Sequence, residues 1–156
     1  MVYIKRDMED LILQLNKEYS CILITGPRQV GKTTMLEHIK PQNMQSVTLD
    51  DLSERQLAKN DPELFLSMHP APVLIDEVQY APELFSYIKI AIDKGAPAGS
   101  FWLTGSQAFK LMTHSPFAFV FHVSTRIIRD GNFFPFFGRR SCFAIAQRYS
   151  YFCGRK

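Results

Sequence analysis

The sequence predicts an α/β fold, a parallel sheet covered by helices on both faces. Three observations carry the prediction. Short apolar runs rich in β-branched residues alternate with segments of helical periodicity. The runs lack polar alternation, as expected of strands buried on both faces. The first run leads directly into a glycine-rich turn, Gly26-Pro-Arg-Gln-Val-Gly-Lys-Thr33, which itself opens a helical segment.

The elements follow in order. Asp7 is placed to cap a helix whose Met8, Leu11, Ile12 and Leu15 fall at i, i+3, i+4 and i+7, one apolar face. Cys21-Ile-Leu-Ile-Thr25 stops at Gly26 and reads as a buried strand. Residues 32–39 are predicted helical, with Pro41 preventing continuation. Ser46-Val-Thr-Leu-Asp50 is a second strand, followed by a helix over residues 52–59. Asp61 caps a further helix with Pro62 in its first turn and Leu64 and Phe65 turned to the core. Val73-Leu-Ile-Asp76 is a third strand. Pro82 opens a helix with Leu84, Phe85, Ile88 and Ile92 on one face and Gly95 as its stop. Phe101-Trp-Leu-Thr104 is a fourth strand, ending in Gly105-Ser106, and a short helix is expected over residues 107–112.

At 156 residues the chain has room for one domain with a sizeable core. Its 46% hydrophobic and 21% charged residues are ordinary for a globular protein and exclude a disordered one. No stretch approaches the roughly 20 apolar residues that span a bilayer, so no membrane partner is expected. The first residues lack the apolar core of a secretory leader. Three cysteines at unrelated spacings, Cys21, Cys142 and Cys153, suit a reducing compartment. A cytoplasmic location is the expectation.

The glycine-rich turn satisfies G-x-x-x-x-G-K-[ST], the pattern of a P-loop. Its glycines allow a tight turn in which successive N–H groups face inward around phosphate oxygens. The helix that follows adds its free N–H groups and its dipole. The candidate nucleotide-binding residues are Gly26, Pro27, Arg28, Gln29, Val30, Gly31, Lys32, Thr33 and Thr34. Lys32 is expected to reach the β- and γ-phosphates, and the Thr33 hydroxyl to ligate Mg²⁺. ATP with Mg²⁺ is the expected ligand.

Asp76 and Glu77 close the third strand. In a parallel sheet the C-terminal strand ends line the ligand crevice, which sets these carboxylates beside the P-loop. Asp76 is the second candidate Mg²⁺ ligand. Glu77 is the candidate general base for an attacking water, and with Lys32 makes the candidate catalytic pair.

Residues 1–112 resemble the N-terminal core of bacterial and archaeal AAA-type ATPases that carry a poorly characterised C-terminal domain. The resemblance rests on Tyr3-Ile-Lys-Arg6, Thr25-Gly-Pro-Arg-Gln-Val-Gly-Lys-Thr-Thr34, Leu49-Asp-Asp51 and Asp61-Pro-Glu-Leu-Phe65. It continues through Leu74-Ile-Asp-Glu-Val-Gln79, Ala81-Pro82 and Leu103-Thr-Gly-Ser-Gln107. It implies an additional-strand P-loop fold in which the fourth strand inserts between the first and the third. The tip of that strand then carries a polar sensor residue, Thr104 or Ser106, near the γ-phosphate or the attacking water. The resemblance also implies ATP hydrolysis, assembly into homo-oligomeric rings, and a protein partner that it does not identify.

Past Met112 the composition changes abruptly. Residues 1–112 hold 11 Lys+Arg against 14 Asp+Glu, net −3, whereas residues 113–156 hold 7 against 1, net +6. The later segment has 9 phenylalanines and no leucine. Such a break points to a shifted reading frame after about residue 112, leaving a truncated core and a poorly ordered basic tail. Residues 117–123 are still apolar enough to pair as a surrogate fifth strand. Basic and aromatic residues together would allow nucleic-acid contact, but no nucleic-acid motif is present. The lid and the transition-state arginine of the family are not identifiable in this tail. The expectation is therefore ATP binding with weak or no turnover. The alternative is a non-catalytic nucleotide-dependent interaction module or an inactive gene remnant. A kinase is disfavoured, because the acid pair followed by Thr104-Gly-Ser106 suits water as the acceptor.

Overall fold

The computed structural model describes residues 3, 5–106 and 121–122. Helix α1 (Asp7–Leu15) precedes β1 (Cys21–Thr25), and α2 (Lys32–Ile39) precedes β2 (Gln45–Thr48). Next come α3 (Leu52–Asn60), α4 (Pro62–Met68) and β3 (Val73–Asp76). A 3-10 turn over Val78–Tyr80, α5 (Leu84–Asp93), β4 (Phe101–Gly105) and β5 (Phe121–His122) complete the order. The helix expected over residues 107–112 lies outside the described residues, as does most of the basic tail.

All pairings are parallel, in the spatial order β2-β3-β4-β1-β5. The fourth strand therefore inserts between the first and the third, as the family resemblance implied. Within the stretch where a surrogate fifth strand was allowed, Phe121 and His122 align with Ile24 and Thr25.

The period-2 alternation of strand side chains divides the core into two layers. Ile22, Ile24, Leu74 and Trp102 face the side covered by α1 and α2, meeting Ile12, Leu15, Met35 and Leu36. Cys21, Leu23, Ile75 and Leu103 face the other side and meet Phe65 of α4 and Leu84, Phe85 and Ile88 of α5. Both faces of β1, β3 and β4 are thus buried, which is why these runs show no polar alternation.

Three expectations are corrected in detail. Arg6, not Asp7, occupies the N-cap of α1. The Glu9 carboxylate accepts the Arg6 backbone N–H at 2.6 Å and so satisfies one of the donors left free at a helix start. Leu64 is 46% exposed while Phe65 is fully buried. Neighbouring residues on a helix are turned about 100° apart, so only one of the pair faces the sheet. Pro82 lies in the turn before α5 and not inside the helix.

Candidate functional site

The P-loop joins the C-terminal end of β1 to the start of α2. Gln29 and Gly31 both adopt left-handed backbone angles, φ 61° and 74°. Glycine is favoured at the second by that positive φ. A Cβ there would lie 2.8 Å from an Arg6 guanidinium nitrogen, so the Arg6 side chain would have to shift. Pro27, Arg28, Gln29 and Thr34 are exposed, whereas Gly26 is buried and Val30, Gly31 and Thr33 are half-buried.

Lys32 begins α2 and turns back over the loop. Its ammonium donates to the carbonyls of Gly26 at 2.9 Å and Pro27 at 2.8 Å. The residue is 5% exposed. Burial lowers its pKa below the usual lysine value, and the positive charge of Arg28 acts the same way. Glu77 and Asp76 oppose the shift, so both carboxylates lie within electrostatic range of the ammonium.

The register of β3 against β4 pairs Ile75 with Leu103, which puts Asp76 and Thr104 side by side at the strand ends. Asp76 Oδ1 accepts from the Thr33 hydroxyl at 2.9 Å and from the Thr104 hydroxyl. Thr104 is fully buried, and its oxygen also accepts the Glu77 backbone N–H at 3.1 Å. Glu77 itself has a left-handed backbone, φ 57°, that turns its side chain off the strand line. Its Oε2 accepts from the Ser106 hydroxyl at 3.1 Å and from the Gln79 amide. Gln79 also donates to Ser106 at 3.1 Å.

The structure thus brings Lys32, Thr33, Asp76, Glu77, Thr104 and Ser106 to one end of the sheet. Three residues to which the motifs gave no role join them. Gln79 holds Glu77, and Tyr80 accepts from the Arg28 guanidinium while Arg55 lies 3.8 Å over its ring. Arg6 donates to the Val30 carbonyl at 2.7 Å. Gln79 and Arg6 each close a stretch that carries the family resemblance, Leu74–Gln79 and Tyr3–Arg6, but nothing local in the sequence gives either one its partner.

Among the described residues no group of three or more His, Cys, Asp or Glu could hold a metal ion. A neighbouring threonine hydroxyl and carboxylate suit Mg²⁺ instead, which keeps several waters and takes few protein ligands. No helix among the described residues is long and apolar enough to cross a membrane.

Sheet order, phosphate loop and strand-end acid pair together define an α/β domain of the P-loop NTPase class. A sequence profile described as the AAA domain matches residues 18–120, and the chain belongs to that family. Nucleotide binding is the general property that membership carries. The match runs eight residues past Met112, where the resemblance read from motifs stopped. Uncharacterized proteins of Mycobacterium bovis and Mycobacterium tuberculosis are each 34% identical to the chain over 90 residues. These regions cover 56% of this chain and 20% of each mycobacterial protein, so the chain spans about a fifth of the curated relatives it matches.

Proposed function

We propose that the chain binds ATP with Mg²⁺ in the P-loop and that hydrolysis, the activity of its relatives by resemblance, is slow in this chain. The observation that carries the reading is the 2.9 Å bond between Thr33 and Asp76, which joins the phosphate loop to the acid strand. One oxygen of each is thereby held where a single Mg²⁺ would be shared. That ion would draw charge from the phosphate oxygens. Lys32, freed from the Gly26 and Pro27 carbonyls, would exchange two backbone acceptors for the β- and γ-phosphate oxygens. Phosphate beside it would also favour the ammonium that burial disfavours.

Glu77 is assigned the proton of the attacking water, with its carboxylate oriented by Ser106 and Gln79. Thr104 is assigned to hold Asp76 and the Glu77 backbone in register. Of the two sensor candidates Ser106, beside the base, is the better placed to read the attacking water. Slow turnover follows from the lack of an identified transition-state arginine, a group worth about 10³–10⁵ in rate. Cytoplasmic location and self-assembly remain part of the proposal. A frame shift after about residue 112 remains the account of the tail's composition.

Binding is tested by the melting temperature with and without Mg·ATP. At a hundred times Kd the ligand should add about 2.7 kcal/mol to stability. An absent shift, or one unaffected by Lys32→Ala, refutes the reading. Phosphate release separates slow hydrolysis from the non-catalytic interaction module. Turnover of several per second that Glu77→Gln abolishes would refute the slow-turnover part.

A further inference from the structure

Ahead of α1, Tyr3 packs on the helix that follows the phosphate loop and Arg6 on the loop itself. Tyr3 stacks on His38 of α2, with ring centroids 3.8 Å apart and planes 27° apart. Its hydroxyl donates to Glu9 at 2.6 Å, and the same carboxylate oxygen accepts the Arg6 backbone N–H. Both ends of the short segment are therefore fixed before the Arg6 side chain is considered. Arg6 then reaches across 24 positions of sequence to donate to the Val30 carbonyl. A second guanidinium nitrogen occupies the space that a Cβ on Gly31 would need.

The chemistry of one peptide bond gives this contact a consequence. The Val30–Gly31 peptide is planar and trans, so its carbonyl and its N–H point in opposite directions. Pinning the Val30 carbonyl toward Arg6 aims the Gly31 N–H away from Arg6, to the side on which the proposed nucleotide reading puts phosphate. Gly31 has little steric preference of its own between peptide orientations, since glycine populates both signs of φ readily. A donor bonded to the carbonyl also polarises the peptide and strengthens its N–H as a donor.

We infer that Arg6 is a positioning residue for the phosphate site, holding the Val30–Gly31 peptide so that its N–H is aimed at bound phosphate. The inference rests on the proposed nucleotide site. It concerns a residue that lies outside the stretch 18–120 matched by the family profile. Arg6 acts through the peptide and does not itself touch the nucleotide. Because the aimed N–H serves phosphate oxygens, ATP and ADP should depend on Arg6 alike.

The test compares full-length wild type, Arg6→Ala, Arg6→Lys and Lys32→Ala by titration calorimetry with Mg·ATP and Mg·ADP. Misaiming one charge-assisted donor should raise Kd about tenfold for both nucleotides in Arg6→Ala. Arg6→Lys, which can still donate to the carbonyl, should recover most of the loss. A second readout needs no nucleotide: the Gly31 amide resonance should move in Arg6→Ala while that of Gly95 stays. If Arg6→Ala does not fold, Arg6→Met, which keeps the length of the side chain without a donor, takes its place in both measurements.

The inference is overturned if Arg6→Ala binds within about twofold of wild type while Lys32→Ala has lost binding. It is also overturned if the Gly31 resonance is unmoved. A loss that vanishes in about 0.5 M salt would assign Arg6 a screened charge effect and overturn the orienting role. If wild type binds no nucleotide, or Lys32→Ala binds normally, the proposed site fails and this inference with it.

Discussion

Replacing Thr104 by valine would remove one hydroxyl from the centre of the site and almost nothing else. The two side chains are nearly the same shape, and Thr104 is fully buried, so no cavity opens. The lost group donates to Asp76 Oδ1 and accepts the Glu77 N–H at 3.1 Å. A buried N–H left without a partner costs about 1–3 kcal/mol, and a hydrogen bond to a charged group contributes about 1.5–3 kcal/mol. Asp76 keeps its bond from Thr33, which places its loss at the low end. The sum expected for Thr104→Val is about 2.5–4.5 kcal/mol. At about 4 °C per kcal/mol for a domain near this size, the melting temperature falls by roughly 10–18 °C.

Thr104→Ser restores the hydroxyl and removes one buried methyl group, worth about 0.8 kcal/mol. It should therefore melt only about 3 °C below wild type by the same conversion. The assay is built into the chain. Trp102 is its single tryptophan, is fully buried, and donates from its indole to Asn16 at 2.7 Å. Its emission should shift to the red as the β4 region unfolds. Thr104→Val melting within about 2 °C of wild type would refute the polar account of this position. So would a serine variant no more stable than the valine one.

Two further outcomes concern Lys32 and the face of α4. Because burial lowers the Lys32 pKa, the unfolded chain holds that proton to higher pH than the folded chain. Folding stability contributed at this site should therefore rise as pH climbs from the folded pKa toward the ordinary value of 10.5. Chemical denaturation of wild type and Lys32→Met across the alkaline range isolates the effect. A difference that is flat with pH, or that falls, contradicts the assignment. On α4, Phe65→Ala should destabilise by about 3–5 kcal/mol, while Leu64→Ala should stay within about 0.5 kcal/mol of wild type. Equal losses in urea denaturation would mean that the helix is rotated from the orientation described.

Much of the site was legible without coordinates because its parts are short-range signals. A glycine-rich turn between an apolar run and a helix is a local conformational requirement, written in adjacent residues. The acid pair at the end of Val73–Asp76 is likewise fixed by where that buried run stops. The two-sided burial of β1, β3 and β4 follows from runs without polar alternation, and α2 begins and ends where its sequence signals place it.

The tertiary structure decided what depends on register and on contacts across long sequence separations. Thr104 was one of two sensor candidates in the sequence. The pairing of Ile75 with Leu103 brings its hydroxyl against Asp76, 28 positions away, and uses its bonding capacity there. Ser106 and Gln79 meet around Glu77 for the same reason, through a strand alignment that no local pattern specifies. Leu64 and Phe65 are both apolar, and only the seating of α4 against the sheet selects one for burial. Arg6 is the furthest case: its partner is a backbone carbonyl, which every residue possesses and no side-chain pattern marks. Local sequence determined the loop, the strands and the acids. The packed sheet determined which hydroxyl holds which carboxylate, and which arginine holds the loop.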